Sequence, residues 1–227
     1  GMKAILQDAI TAEEDVLEKQ DQVTVEQLTE QRTDGRKLPY VNYVLLFANL
    51  LIYVLCIFNS EFFYGKGTFD LVLIYNEQAW YRFISSMFLH GDVYHLSGNM
   101  IYLYTLGDMV EKELGHVKYF VLYMLSGLAG NAVSMAFSIW TRDYTPSLGA
   151  SGAIFGITGA LLWIVIRNRG RHAEITMPKI IFLIAYSLYN GFVSTNVDNA
   201  AHVGGLLGGF LLAILLYRKK GKAKERG

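Results

Sequence analysis

Chemistry is concentrated in a few polar residues set among apolar and small ones. Ser151 stands in Gly149-Ala-Ser-Gly152, His202 in Ala201-His-Val-Gly-Gly205, and His95 precedes Asn99 by four residues. A serine hydroxyl and an imidazole brought within about 2.6–3.2 Å form a nucleophile and its general base. Side chains four apart share a helix face, so His95 and Asn99 can act together. They suit either hydrogen bonding between helices or donation to an oxyanion developing on an acyl carbon. A lone Gly-x-Ser-Gly is a weak signal, because glycine-rich membrane helices produce it by chance. A lone intramembrane histidine also serves helix–helix hydrogen bonding. Asp198 lies four residues before His202, which makes a triad tempting, yet it also opens an apolar run and is better placed as a helix N-cap. Glu111 reads as a structural hydrogen-bond acceptor, and His116 and His172 as solvated loop residues.

These residues belong to a chain built for the bilayer. Hydrophobic residues make up 52% of it and charged ones 18%, against about a quarter charged in an ordinary soluble domain. Stretches without Asp, Glu, Lys or Arg cover 38–60, 93–107, 119–141, 144–166, 180–197 and 199–217. A spanning helix needs roughly 20 apolar residues. The short second run reaches that length if its helix continues through Asp108 toward Glu111. The expected fold is therefore an all-α membrane protein, a six-transmembrane-helix bundle. Basic residues cluster at Arg32, Arg36 and Lys37, at Arg167, Arg169 and Arg171, and from Arg218 to Arg226. With six spans all three clusters fall on one side, which the positive-inside rule makes the cytoplasm. Both termini are then cytoplasmic in a multi-pass protein of the cell membrane.

Counting from those basic residues places the polar groups in depth. Ser151 lies 16 residues before Arg167, and His202 lies 16 before Arg218. At about 1.5 Å per residue both stand about 24 Å up in a hydrocarbon core roughly 30 Å thick. His95 and Asn99, counted from Lys112, lie about 20–26 Å up. Ionisable residues at such depth are expensive and mark function. Thr145-Pro-Ser147 and Gly149 interrupt any helix above Ser151, so a helix should begin at the serine and a loop should dip before it. Non-helical backbone at that level needs burial in protein or a water-filled cavity. Gly152, Gly156, Gly159 and Ala160 in the fourth span, with Gly204, Gly205, Gly208 and Gly209 in the sixth, let the two helices approach closely.

The chain divides into three parts: residues 1–37, a cytoplasmic segment; 38–217, the six-span core; and 218–227, a basic cytoplasmic tail. The first carries nine acidic and five basic residues. Thr11-Ala-Glu-Glu14 and Thr24-Val-Glu-Gln27 resemble capping boxes, which predicts short helices there. No basic stretch followed by a short apolar one opens the chain, so no cleavable signal peptide is expected. Residues 61–92 hold many aromatics among scattered charges, as a structure lying in the membrane interface would. Twenty basic and twenty acidic residues cancel, giving no reason to expect a nucleic-acid partner. The single cysteine, Cys56, excludes an intrachain disulfide. No metal-ligand cluster, phosphate-binding loop or dinucleotide fingerprint appears, so no metal or organic cofactor is expected.

Taken together, these motifs resemble the rhomboid family of intramembrane serine proteases over roughly residues 40–217. Gly149-Ala-Ser151-Gly152 opening span four, Ala201-His202-Val-Gly-Gly205 in span six and His95-x-x-x-Asn99 carry the resemblance, in order and spacing. It implies that Ser151 is the nucleophile and His202 the general base of a two-residue dyad. His95, Asn99 and the Ser151 backbone N–H would form the oxyanion hole. Gly149 and Gly152 flank the nucleophile, and His90 resembles the family's loop-stabilising histidine. Phe155 stands where many members carry a tyrosine beneath the catalytic histidine, and Trp80-Tyr81-Arg82 resembles a Trp-Arg pair with a tyrosine inserted. The resemblance implies a six-helix rhomboid-like bundle that cleaves single-span or multi-span membrane proteins in or beside their transmembrane segments. Rival readings are an inactive relative that binds or escorts membrane proteins, and a channel or transporter for small solutes. The relatives that only bind typically lack the serine or the histidine, and the chain shows no inverted repeat of the transporter kind.

Overall fold

The computed structural model describes residues 38–172, 175–194 and 197–218, together with Gln22. Its contacts divide the chain into two units, Gly1–Leu38 and Pro39–Gly227, and only the second is described below. The short helices expected within 1–37 and the basic residues beyond Arg218 lie outside the described residues, as does the side chain of His172.

The second unit is a helical membrane bundle. Its first helix, α1, is Tyr40–Phe58. A connecting segment follows, with α2 (Ser60–Gly67), α3 (Leu71–Asn76), α4 (Arg82–Ser85) and a 3₁₀ turn at Ser86–Phe88. The second bundle helix is continuous but interrupted: α5 (Val93–Tyr102), a π-helical turn at Leu103–Gly107, then α6 (Asp108–Leu114). Next come α7 (His116–Thr141) and α8 (Ser151–Arg167). A two-residue hairpin of β1 (Arg171–His172) and β2 (Ile175–Thr176) leads to α9 (Met177–Val193) and α10 (Asn199–Leu216). By length and composition α1, α7 and α10 can each cross a membrane, while α8 and α9 are apolar but shorter. Helices satisfy their own backbone groups, which lipid cannot do. Large apolar side chains on the outer faces, such as Val44, Phe47, Phe182 and Phe192, are correspondingly exposed.

The centre of the bundle is α8, which is buried from Gly152 to Leu161. It packs between α7 and α10 because glycines line both seams. A Cβ on Gly205 would strike the Gly152 carbonyl, and one on Gly209 the Gly156 carbonyl. Gly204 and Gly208 instead meet Val133 and Ala129 of α7. The two overlapping small-residue patterns of α10 therefore serve two different neighbours.

A buried polar network joins α1 to the interrupted second helix. Asn42 donates from Nδ2 to the Leu103 carbonyl at 2.9 Å, within the π turn, where the regular ladder is broken. Its Oδ1 accepts from the Tyr119 hydroxyl at 2.7 Å. The buried Glu111 carboxylate accepts from the N–H groups of Val41 and Asn42, at 3.1 and 2.7 Å. These are first-turn donors of α1 that have no partner inside the helix, so Glu111 is the structural acceptor expected. His116 departs from expectation. The tight turn at Gly115, φ +79°, returns the chain beside Glu111, so its Nδ1 lies 2.6 Å from the carboxylate. Its ring stacks 3.7 Å from that of Tyr40. It is a tie between helices, not a solvated loop residue.

Candidate active site

The non-helical segment before Ser151 is held by backbone partners from the α1–α5 connection. Phe69 and Ser147 exchange a pair of N–H···O bonds at 2.8 and 3.0 Å, and Gly149 N–H donates to the Ser86 carbonyl at 2.9 Å. Ser86 is fixed in turn by Asn131 of α7, whose amide donates to Ser86 Oγ at 3.1 Å and to the Phe83 carbonyl at 2.8 Å. The connecting segment is pinned by Arg82. Buried to 1% exposure, it donates to the carbonyls of Thr68 at 2.9 Å and Gly65 at 2.6 Å. Trp80 stays half exposed, so the Trp80-Tyr81-Arg82 sequence sends its two ends to different surroundings.

Gly149 turns the chain into α8 with φ +136°, a conformation that L side chains rarely adopt. A Cβ there would also lie 2.9 Å from the His95 ring. The glycine thus serves both the turn and the approach of the histidine. Ser151 is the first residue of α8, so its N–H and the next two lack intrahelical acceptors.

His202 enters from α10. Its Nε2 lies 2.9 Å from Ser151 Oγ, a separation that allows proton transfer. The Phe155 ring stacks on the imidazole, centroids 4.3 Å apart and planes at 14°. That contact and the packing of Gly205 on Gly152 hold the histidine against α8. Asp198 caps α10: its Oδ1 accepts from Ala201 N–H at 2.9 Å and its Oδ2 from the Ser134 hydroxyl of α7. His202 Nδ1 is buried with no hydrogen-bond partner among the described residues. A hydrogen-bonded triad is therefore not formed.

His95 and Asn99 come from α5. Asp92 caps that helix, accepting from the N–H groups of Tyr94 at 2.8 Å and His95 at 2.9 Å. These donations, the one from His95 foremost, hold the Asp92 carboxyl below its ordinary range. The buried His90 ring lies edge-on to His95, centroids 5.1 Å apart, and its carbonyl accepts from Tyr64 OH at 2.6 Å. Asn99 is 8% exposed, and its Nδ2 has no hydrogen-bond partner among the described residues. Ser151, His202, His95 and Asn99 all line one cavity of about 690 Å³, walled also by α9 through Leu183, Ile184 and Ser187. Among the described residues, no group of three or more His, Cys, Asp or Glu side chains is arranged to hold a metal ion.

A serine at a helix start, an imidazole in reach and a cavity between helices coincide with a family match. The Rhomboid domain model matches residues 77–219. The chain belongs to the Rhomboid family. It is 36% identical over 158 residues to Rhomboid protease GluP of Bacillus subtilis, covering 70% of this chain and 30% of that one. RHOMBOID-like protein 5 of Arabidopsis thaliana is 36% identical over 156 residues, 66% of this chain and 48% of its own. RHOMBOID-like protein 1 of the same plant is 36% identical over 151 residues, 66% and 38%. The chain thus spans between 30% and 48% of the length of these relatives.

Within this rhomboid domain some residues close to the site gave no signal in the sequence. Asn131, Ser134 and Ser86 are single polar residues in apolar or mixed stretches, and nothing in their spacing names a partner. Only the intramembrane depth of Asn131 and Ser134, read with the cost of burying an unpaired amide or hydroxyl, could have flagged them.

Proposed function

We propose that this chain is an intramembrane serine endopeptidase that hydrolyses peptide bonds in or beside transmembrane segments of other membrane proteins. The observation that carries the proposal is the 2.9 Å contact between Ser151 Oγ and His202 Nε2 inside a bundle cavity. Ser151 Oγ attacks the scissile carbonyl carbon while His202 Nε2 takes its proton. The resulting oxyanion accepts hydrogen bonds from Asn99 Nδ2, the His95 ring and the Ser151 backbone N–H. A buried amide donor with no hydrogen-bond partner among the described residues asks for a reason, and a transient oxyanion supplies one for Asn99. The field at the N-terminus of α8 favours the same negative charge. The tetrahedral species collapses, the C–N bond breaks, and His202 returns the proton to the leaving amine. Water then attacks the acyl-enzyme with His202 again as base, freeing Ser151.

His90, Gly149, Gly152 and Phe155 support these groups. His90 backs His95, Gly149 admits the His95 ring, Gly152 admits α10, and Phe155 fixes the imidazole plane. A helical peptide bond is shielded by its own hydrogen bonds, so a substrate must unwind locally. Helix-weakening residues near the cleavage site lower that cost. The core 38–217 lies in the cell membrane with the cavity open to the outside. The segment 1–37, the tail 218–227 and both termini are cytoplasmic.

The test is cleavage of a model transmembrane substrate in liposomes. Ser151→Ala and His202→Ala each abolish cleavage while the bundle stays folded, and a fluorophosphonate labels Ser151 in the unaltered protein. Near-normal cleavage by Ser151→Ala removes the protease assignment. A protein that neither labels nor cleaves points to a binding or transport role.

A further inference from the structure

Asp198 is held more firmly than a helix cap requires. As the cap of α10 it needs only an acceptor oxygen, a task Asn and Ser perform about as well. The structure gives it more. Its second oxygen is held by Ser134 from a different helix, so the carboxylate is fixed from two elements. It lines the same cavity as His202, one turn before it on the same helix. The His202 N–H donates to the Asp198 backbone carbonyl at 3.2 Å, so the two residues face each other across the first turn. His202 takes up a proton at Nε2 in the proposed reaction, and its Nδ1 has no hydrogen-bond partner among the described residues.

We propose that Asp198, locked by Ser134 and Ala201 N–H, is an electrostatic positioning residue that stabilises the imidazolium formed on His202 during catalysis. The proposal rests on the proteolytic assignment above and adds to it a through-space partner for the base. A fixed negative charge lining the same cavity as the imidazole favours its cationic form without a direct hydrogen bond. Other ionisable side chains lining the cavity are Asp92, Tyr94, His95 and Tyr102, all from α5 or its cap. Within α7 the only Lys or Arg is Lys118, near the opposite end, while Arg142 caps the end nearer Ser134. Asp198 is the carboxylate that caps the helix carrying His202. The position of Ser134, eight residues from Ser126 along α7 and buried, places the locking hydroxyl on the face turned to α8 and α10.

The deciding variant is Asp198→Asn, which keeps a capping acceptor and removes the charge. Turnover should fall about tenfold, and the acid limb of the kcat/KM profile should move down by about one pH unit, because an imidazole without the nearby anion protonates less readily. The melting temperature should stay within a few degrees. Ser134→Ala should lower turnover less, and adding it to Asp198→Asn should cost nothing further, since both act through one carboxylate. The pH dependence of fluorophosphonate labelling at Ser151 reads the same limb without a peptide substrate. An Asp198→Asn protein with the normal limb and normal turnover overturns the proposal. So does a loss that follows melting temperature and is reproduced by other cap-weakening changes. If the unaltered protein labels at Ser151 but cleaves no substrate, the protease assignment fails, and the labelling profile still decides the role of Asp198. If it does not label at all, both fall.

Discussion

Gly130→Ala sets helix propensity against packing, and the structure says which prevails. Gly130 lies on α7 opposite the Ala201 carbonyl, next to the proposed base. A Cβ there would lie 2.8 Å from that oxygen and 3.5 Å from Gly152 Cα. Comfortable carbon–oxygen contact begins at about 3.3 Å, so the helices must part by about 0.5 Å. The movement has little room, because Gly152 of α8 meets the same carbonyl from its own side, with a Cβ there at 3.5 Å. Alanine in a helix interior gains about 1 kcal/mol over glycine, while overpacking costs about 1–3 kcal/mol. The net is a destabilisation of about 0–2 kcal/mol, a drop of at most several degrees in Tm. Activity should suffer more. A misplacement of about 1 Å can cost about 10²-fold in rate, so half of that, felt at His202, should cost about tenfold in kcat. The assay is cleavage of a transmembrane substrate per fluorophosphonate-reactive site, with thermal unfolding beside it. Gly65→Ala in α2 is the control: its Cβ meets nothing within 4 Å, so it should stabilise slightly and turn over normally. A Gly130→Ala protein that melts higher and keeps its kcat would refute the reasoning, because α7 and α10 would then have slack at the site.

Asn99→Ala should lower kcat about tenfold, less than the 10²–10³ a lost oxyanion donor can cost, since His95 and the Ser151 N–H remain. The double change with His95→Ala should be much worse, and a double variant that melts early yet turns over normally per labelled site would make both residues structural. Phe155→Ala should lose about three- to tenfold in kcat through the stacked imidazole, while Phe155→Tyr, which keeps the ring, should stay within about threefold. The Asp92 carboxyl is held below its ordinary value of 3.8, so its contribution to stability is present above that value and is lost as pH falls through the lower folded one. Thermal melts of Asp92→Asn should therefore be less acid-sensitive there than those of the unaltered protein. In a background lacking Cys56, Glu77→Cys and Lys222→Cys should label from opposite membrane faces, and labelling from one face would overturn the six-span arrangement.

Some of this was legible because helices have a fixed rise. Counting from Arg167 and Arg218 puts Ser151 and His202 at one level without any knowledge of contacts, and the structure sets Ser151 Oγ and His202 Nε2 2.9 Å apart. The start of α8 at Ser151 could be read from Gly149 and Pro146, which disrupt a helix by known backbone physics. Partner choice was harder. The overlapping glycine patterns of α10 announced close packing, but not that Gly205 and Gly209 face α8 while Gly204 and Gly208 face α7. Asn42 and Tyr119 are 77 residues apart, and neither names the other. The π turn at Leu103–Gly107 leaves no trace in an apolar run, because Asn42, far away in the chain, is what stabilises it. The surroundings of His116 depend on the turn at Gly115, φ +79°, and not on its own residue type, so its sequence context alone suggests a loop.

The connection between α1 and α5 follows from the same physics. The proposed nucleophile stands at the start of a helix, where free N–H groups and the helix field meet the developing charge. No helix continues above Ser151, and the exposed backbone there must find partners at a depth where water is scarce. The partners come from Phe69 and Ser86, two residues of the connecting segment, and the segment stays in place because the buried Arg82 binds the carbonyls of Thr68 and Gly65. The chain of dependence runs from Arg82 through Phe69 and Ser86 to Ser147 and Gly149, and thence to Ser151. A segment that looks peripheral in the sequence is therefore part of what keeps the loop before Ser151 in place, and its aromatic surface is secondary to the backbone acceptors and donors it supplies.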